Sequence, residues 1–143
     1  MQNSPAAILA NYVEEMEIAE YPALNAVWSI FRGAMPDHPD NVVCFLDTTP
    51  VKDGRWMRTG EAERHYGVSV LVRSVNHTGG YAVCVRLGRV LDRLCNTEII
   101  VDTKTYIVHN VSRVGSIGIL GQEPGTKRRN LFSMNFLVSL TEN

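Results

Sequence analysis

The sequence predicts an α+β domain in which a mostly antiparallel sheet is covered by helices. Two observations lead to this prediction: apolar residues recur with helical spacing in two segments, and they alternate with polar residues in several others. The order of these segments is helix, three strands, helix, three strands. Such runs form two-layer sandwiches, so we expect two main helices packed on one face of the sheet.

Composition limits the class of protein. The 143 residues suit one domain spanning residues 1–143. Charge is balanced, with 14 Lys and Arg against 15 Asp and Glu, which gives no electrostatic case for a nucleic acid or an anionic membrane as partner. Three cysteines without CxxC spacing are interpreted as small core residues. No apolar run approaches a membrane span, so we expect a cytosolic or particle-bound protein.

The first helix is predicted to begin at Ser4, its N-cap, with Pro5 at the first helical position. A short edge strand is expected at residues 26–31. Two Pro-Asp turns then lead into a strand at 42–47 that is apolar enough to be covered on both faces. The helix presents one apolar stripe, made of Ile8, Leu9, Tyr12, Val13 and Met16.

Residues 48–63 are predicted to form a long loop, since they contain two glycines, a proline and several charges without an apolar period. Loops of this length in compact domains are usually functional or disordered. The centre of the loop carries Arg55, Trp56, Met57 and Arg58, and Trp and Arg are enriched among interface anchors. The alternative is that Trp56 folds back to cover the core.

The next strand is predicted at 66–73, where valines alternate with polar residues. A helix follows at 81–94, with Thr78 as its expected N-cap. Its inward face is predicted to consist of Val83, Leu87, Val90, Leu91 and Leu94. Arg86, Arg89 and Arg93 recur on the outward face, where they could contact phosphates, a partner's carboxylates or only water, and water is the default interpretation.

The last part of the chain is predicted to contain a hairpin, a glycine-rich connection and a final strand. The hairpin pairs residues 98–101 with 105–112, and the connection spans 114–130. The tip of this connection is strongly basic, with Lys127, Arg128 and Arg129. One face of the final strand is predicted to be buried, and it consists of Phe132, Met134, Phe136, Val138 and Leu140.

The sequence contains none of the familiar catalytic patterns. The segment Gly115-Ser-Ile-Gly118 lacks the spacing of a nucleophile elbow, and Gly125-Thr-Lys127 reverses the order of a phosphate-binding loop. The four histidines are scattered without metal-ligand spacing. We therefore predict that the protein is no enzyme, with no catalytic residue, no metal site and no cofactor.

The ordered residues resemble the tail-terminator and tail-completion proteins of long-tailed phages, including those called minor capsid proteins. The likeness rests on the helix at 8–16, the turn and strand that begin Met35-Pro-Asp-His-Pro-Asp40, the strand at 66–73 with its following helix, and the final strand. The chain departs from the family pattern at Thr49-Pro50 and at Gly79-Gly80-Tyr81.

This resemblance implies a structural virion protein that forms a ring, six-fold in the family, at the tail–neck junction after assembly in the host cytoplasm. Such a ring caps the tail tube, stops its polymerisation and joins the tail to the head connector, while DNA only passes through the lumen. In this setting Arg55, Trp56 and Arg58 are expected to contact the tail tube or the neighbouring subunit. Lys127, Arg128 and Arg129 are expected to meet an acidic partner or face the DNA channel.

Two alternatives remain open at this point. One is a head–tail joining protein of the neck with the same fold. The other is a ferredoxin-like module that binds RNA or a small ligand on aromatic side chains of an open sheet face. Tyr66, Phe132 and Phe136 alternate with polar neighbours, which predicts that they face the core and weakens the second alternative.

Overall fold

The computed structural model describes residues 3–20, 28–34, 40–55, 62–123 and 129–142. These residues contain two helices and six strands in the predicted order. The elements are α1 (Pro5–Glu20), β1 (Ser29–Arg32), β2 (Val42–Arg55), β3 (Ala62–Ser74), α2 (His77–Asp92), β4 (Cys95–Val101), β5 (Lys104–Gln122) and β6 (Asn130–Glu142). Neither helix is long and apolar enough to cross a membrane.

The six strands form one sheet in the order β1-β2-β3-β6-β5-β4. Strand β1 runs parallel to β2, and the other four pairs are antiparallel. The sheet is therefore mixed and not purely antiparallel. A parallel neighbour requires the chain to return to the same end of the sheet between two strands, which it does between Arg32 and Val42.

Helix α1 begins where the sequence predicts. The hydroxyl oxygen of Ser4 accepts a hydrogen bond from the backbone N–H of Ala7 at 3.2 Å, which is the expected N-cap contact. Ile8, Leu9 and Val13 are fully buried. The predicted apolar stripe is thus confirmed for the positions whose side chains are described.

Helix α1 also contacts both edge strands of the sheet. Arg32 of β1 donates to the carboxylate of Glu14 at 3.0 Å, and the side-chain amide of Asn11 donates to the carbonyl of Ile100 in β4 at 3.2 Å. Strands β1 and β4 stand at opposite ends of the strand order. The sheet therefore curls, and α1 lies in the opening between its edges.

A single hydrophobic core contains side chains from both helices and from the centre of the sheet. Valines of β3 lie opposite large residues of β6, in the pairs Val68–Phe136, Val70–Met134 and Val72–Phe132. All five predicted inward residues of the final strand are buried. Each such side chain contributes about 1.5–3 kcal/mol through removal from water, so this face adds substantially to the stability of the domain.

Helix α2 starts earlier than predicted, and the Thr78 cap is wrong. The N-cap is Asn76, whose side-chain oxygen accepts from the backbone N–H groups of Thr78 and Gly79 at 3.0 and 3.3 Å. An asparagine oxygen reaches the free N–H groups of a first turn as well as a threonine hydroxyl does. The predicted inward face is buried, and Arg86, Arg89 and Arg93 are exposed.

The two long loops predicted at 48–63 and 114–130 are largely strand. Strand β2 continues to Arg55, β3 already begins at Ala62, and β5 extends to Gln122. Regular alternation of apolar residues predicts a strand because one of its faces is buried. These extensions are instead held by backbone pairing, and their register shifts disturb any regular alternation. In β5 the backbone adopts positive φ at Gly115 and Gly121, which explains glycine at these two positions.

Candidate functional site

The described residues that flank the two segments predicted to mediate assembly lie at opposite ends of the sheet. The connection between β2 and β3 joins Arg55 to Ala62, at the start of β3. The connection between β5 and β6 joins Gln122 to Asn130, and Asn130 pairs with Ser74 at the far end of β3. An extended strand of 13 residues is about 40 Å long, so the described ends of the two connections are well separated.

The first of these ends is a two-stranded arm. Residues 62–65 of β3 pair with β2 and, within the described residues, with no other strand, because pairing with β6 begins at Tyr66. Arg55 closes the described arm opposite Ala62. Trp56, Met57 and Arg58 lie outside the described residues, so their contact with a partner stays a prediction.

At the second end, the position of one residue, Arg129, differs from the predicted basic tip of the connection. Lys127 and Arg128 lie outside the described residues, but Arg129 is only 1% exposed. Its guanidinium donates to the carboxylates of Glu123 at 2.6 Å and of Asp40 at 3.1 Å. The acidic partners of this arginine therefore belong to its own chain, because its long side chain folds back from the connection towards the sheet.

Arg73, the second buried arginine of the described residues, completes this group. It is 2% exposed, donates through Nε to the carbonyl of Asp40 at 3.2 Å, and lies 3.9 Å from the carboxylate of Glu123. Arg73, Arg129, Asp40 and Glu123 are called the Arg129 cluster below. Two cations face two carboxylates, so the buried charge is compensated, as burial of guanidinium groups requires.

The Arg129 cluster fixes the base of the β5–β6 connection. The backbone N–H of Glu123 donates to the carbonyl of Arg129 at 2.7 Å, which closes the loop that carries Lys127 and Arg128. Asp40 ties this loop to the chain just before β2. The sequence pattern places Asp40 in a Pro-Asp turn and gives no partner for Glu123. The one sequence signal for the cluster is Arg73, a charge at the end of an apolar strand.

The described residues hold no group of three His, Cys, Asp or Glu side chains that could bind a metal ion. Burial raises the pKa of the Cys84 thiol to about 12 and also raises the pKa of Cys44, so both thiols are poor nucleophiles. Cys95 is exposed, which corrects the interpretation of all three cysteines as core residues. His109 forms an ordinary hydrogen bond with Thr141 at 3.0 Å.

Comparison with known protein families identifies the class of protein. A sequence model of the family described as bacteriophage tail terminator protein matches residues 12–142. The chain therefore belongs to the bacteriophage tail terminator family, and it is a structural protein of the phage tail and virion.

Comparison with solved structures agrees in fold. A chain from the virion of a native gene transfer agent (GTA) particle superposes with a TM-score of 0.58 over 99% of this chain and 100% of that chain. The two sequences are 12% identical, so the match shows a shared fold. No curated protein sequence matches.

Proposed function

We propose that this chain is the tail terminator of a long-tailed phage: a ring, with six copies as the expected number, that caps the tail tube, stops its polymerisation and joins the tail to the head connector. The main support for this proposal is the family match over residues 12–142. A likeness in fold to a virion chain over the full length of both molecules supports it. The partners are further copies of the chain, the tail tube protein and the connector, at the tail–neck junction.

The shape of the domain supports a role between two different partners. A ring that caps a tube has two unlike faces, one towards the tube and one towards the head. The arm that ends at Arg55 and the loop that carries Lys127 and Arg128 leave the sheet at opposite ends. We assign the residues 55–58 to contact with the tube or a neighbouring copy, and the loop to the other face or to the DNA channel.

We infer from the buried position of Arg129 that it positions the basic loop and does not contact a partner. The charges of the loop that remain for a partner are then those of Lys127 and Arg128.

Both helices contribute side chains to one core, which supports a helical layer on one face of the sheet. The balanced net charge supports passage of DNA without tight binding, because each neutralised phosphate adds salt-dependent affinity.

The test is the length of tails made by a phage that lacks the gene for this chain, imaged by negative-stain microscopy. Overlong tails beside unjoined, DNA-filled heads are expected, and expression of the wild-type chain from a plasmid should restore normal tails. Tails of normal length that fail to join would favour the head–tail joining alternative. Intact, infectious particles would contradict any structural role.

A further inference from the structure

We propose that neighbouring copies of this chain join by pairing two open strand edges, the β5 edge of one copy and the β2 edge of the next, into one continuous sheet. The β5 edge is defined by residues 112–122 and the β2 edge by residues 46–55. This proposal rests on the proposed function in one respect, namely that the chain forms a ring.

The β5 edge has a strand on one side only. Strand β4 pairs with β5 as far as Asn110, whereas β6 pairs with it as far as Gln122. Beyond Val111, no other strand of the described chain lies beside β5. None of residues 112–122 is buried. The backbone groups on the outer side of this edge are therefore open to a further strand.

The β5 edge is also apolar. Val114, Ile119 and Leu120 are 51%, 58% and 57% exposed, and they are half of the six large apolar side chains exposed among the described residues. Open edges of natural sheets usually carry charges or prolines that prevent a further strand from adding, but residues 114–122 contain neither. Two register shifts bend this edge, yet its residues stay open to solvent.

The β2 edge is the second open edge. Strand β1 pairs with β2 only as far as Phe45, and within the described ranges residues 46–55 pair with β3 alone. Residues 62–65 of β3, which lie opposite residues 51–55, have no further neighbour there, because pairing with β6 begins at Tyr66. This part of the arm is a two-stranded ribbon, which is marginally stable until a third strand supports it.

The two edges match in length and direction. The β5 edge runs beside residues 130–137 of β6 and the β2 edge beside residues 62–69 of β3, so each spans about 27 Å. Three antiparallel pairings separate β2 from β5, so the two strands run in opposite directions. Copies that stand side by side in the same orientation would pair them antiparallel, the more stable arrangement. Pro50 and Asp53 fall in register shifts of β2, outside the ladder.

The two edges do not satisfy each other within one copy. The β2 edge ends at Arg55, beside the start of β3, whereas the β5 edge ends at Gln122, level with the end of β3. Helix α1 also lies between the outer strands, bound to Arg32 of β1 and to Ile100 of β4. A second copy offers each edge the unlike edge that it lacks, which is the heterologous contact that a ring requires.

The size of the contact agrees with a closed ring. A strip about 27 Å long and about 10 Å high covers about 300 Å² on each copy, below the roughly 800 Å² per partner of a stable complex. One joint is therefore weak, but each copy in a ring makes two. Since the open edges lie at opposite ends of the sheet, each copy is staggered against the last. Equal stagger at every joint closes when the strands tilt against the ring axis, as in barrels.

The pleat of the sheet narrows the register of the joint, because residues that face each other on neighbouring strands belong to the same face. Val114 pairs with Asn135, which pairs with Ser69. Val51 pairs with His65, which lies four residues before Ser69 and so shares its face. Val114 and Val51 can therefore stand opposite each other, and two β-branched residues favour such a cross-strand pair.

Cysteine cross-linking of the purified full-length chain tests the proposal. The parent carries Cys95→Ser, which leaves only the buried thiols of Cys44 and Cys84. Addition of Val114→Cys and Val51→Cys should give a ladder of disulfide-linked multimers on oxidation at high concentration, because each chain then carries both halves of the contact. Either cysteine alone should give none.

Two further chains complete the test. Gly54→Cys in place of Val51→Cys covers the register shifted by two residues, and a ladder from either double-cysteine chain supports the proposal. Ile100→Cys in place of Val114→Cys is the control, since Ile100 is 59% exposed but lies on β4, outside both edges. This control should form no ladder.

Lysines on the β5 edge give an independent readout. Ile119→Lys with Leu120→Lys, added to the chain that forms the ladder, should lower its yield at least about tenfold, since charges on an open edge oppose a further strand. Ile100→Lys should leave the yield unchanged. Melting temperatures of the reduced chains should match that of the parent, because the changed side chains are exposed.

Absence of a ladder from both double-cysteine chains, or an unchanged yield after the two lysine substitutions on β5, would overturn the proposal. Dimers formed by Val114→Cys alone would also overturn it, because two β5 edges would then pair with each other. None of these results decides the proposed function, which the length of tails made without the gene tests separately.

Discussion

The guanidinium of Arg129 lies 3.1 Å from a carboxylate oxygen of Asp40, a residue 89 positions earlier in the chain. This contact joins the β5–β6 connection to the chain that precedes β2. Because Glu123 holds the same arginine at 2.6 Å, the loop with Lys127 and Arg128 has a fixed base. Ordering a loop on binding weakens a contact, so a fixed base favours the contact that we propose for this loop.

Replacement of Arg129 by methionine should lower the free energy of unfolding by about 2 kcal/mol, because two carboxylates lose their buried cation. The loss is smaller than for a fully buried pair, as Asp40 keeps access to water. Urea denaturation measures it. Lys104→Met removes an exposed pair with Glu142 and should cost less than about 1 kcal/mol. Equal losses in the two variants would contradict the structural role of the Arg129 cluster.

Gly80→Ala should destabilise the domain by roughly 1–3 kcal/mol, because an added methyl group would lie 2.6 Å from the Phe132 ring and 2.9 Å from Cβ of Ser74. This cost outweighs the gain of about 1 kcal/mol in helix propensity. The adjacent Gly79→Ala is the matched control, since its methyl group meets only Asn76 at 3.7 Å. Thermal unfolding should therefore show a clearly lower melting temperature for Gly80→Ala than for Gly79→Ala. Similar melting temperatures of the two variants would refute the close packing of α2 on β6.

Asn76→Ala should cost about 1 kcal/mol of stability, because two backbone N–H groups of the first turn of α2 lose their acceptor. Thr78→Ala should have almost no effect, although the sequence pattern assigns the cap to that residue. The comparison is made by urea denaturation. A larger effect at Thr78 than at Asn76 would show that the helix begins later than described.

Stability should fall as pH rises above about 9, because the buried Cys84 thiol, with its pKa raised to about 12, keeps its proton in the folded chain while the unfolded chain loses it at 9.0. The fall from this group reaches at most about 1.4 kcal/mol per pH unit. Urea denaturation under reducing conditions measures it. Cys84→Ala should flatten the dependence, whereas Cys95→Ala, at an exposed site, should leave it as in the wild type.

Trp56→Ala should weaken assembly into tails while leaving the melting temperature of the free chain nearly unchanged, as expected of an interface anchor. The other tryptophan provides the control: Trp28 packs against the hydrophobic core, so Trp28→Ala should lower the melting temperature. Complementation of a phage that lacks the gene, together with thermal unfolding, gives both readouts. A large fall in melting temperature for Trp56→Ala would place this side chain in the core.

The sequence by itself determined the α+β class, the order of the elements and the buried faces. Ser4, Val83 and Phe136 could be assigned because capping uses neighbouring residues and burial leaves a local apolar period. The tertiary structure decided the reach of β2 and β5, the parallel pairing of β1, and the burial of Arg129. Backbone pairing and the ion pair between Arg129 and Asp40 depend on which distant segments of the chain come together. A local sequence pattern contains no information about such contacts.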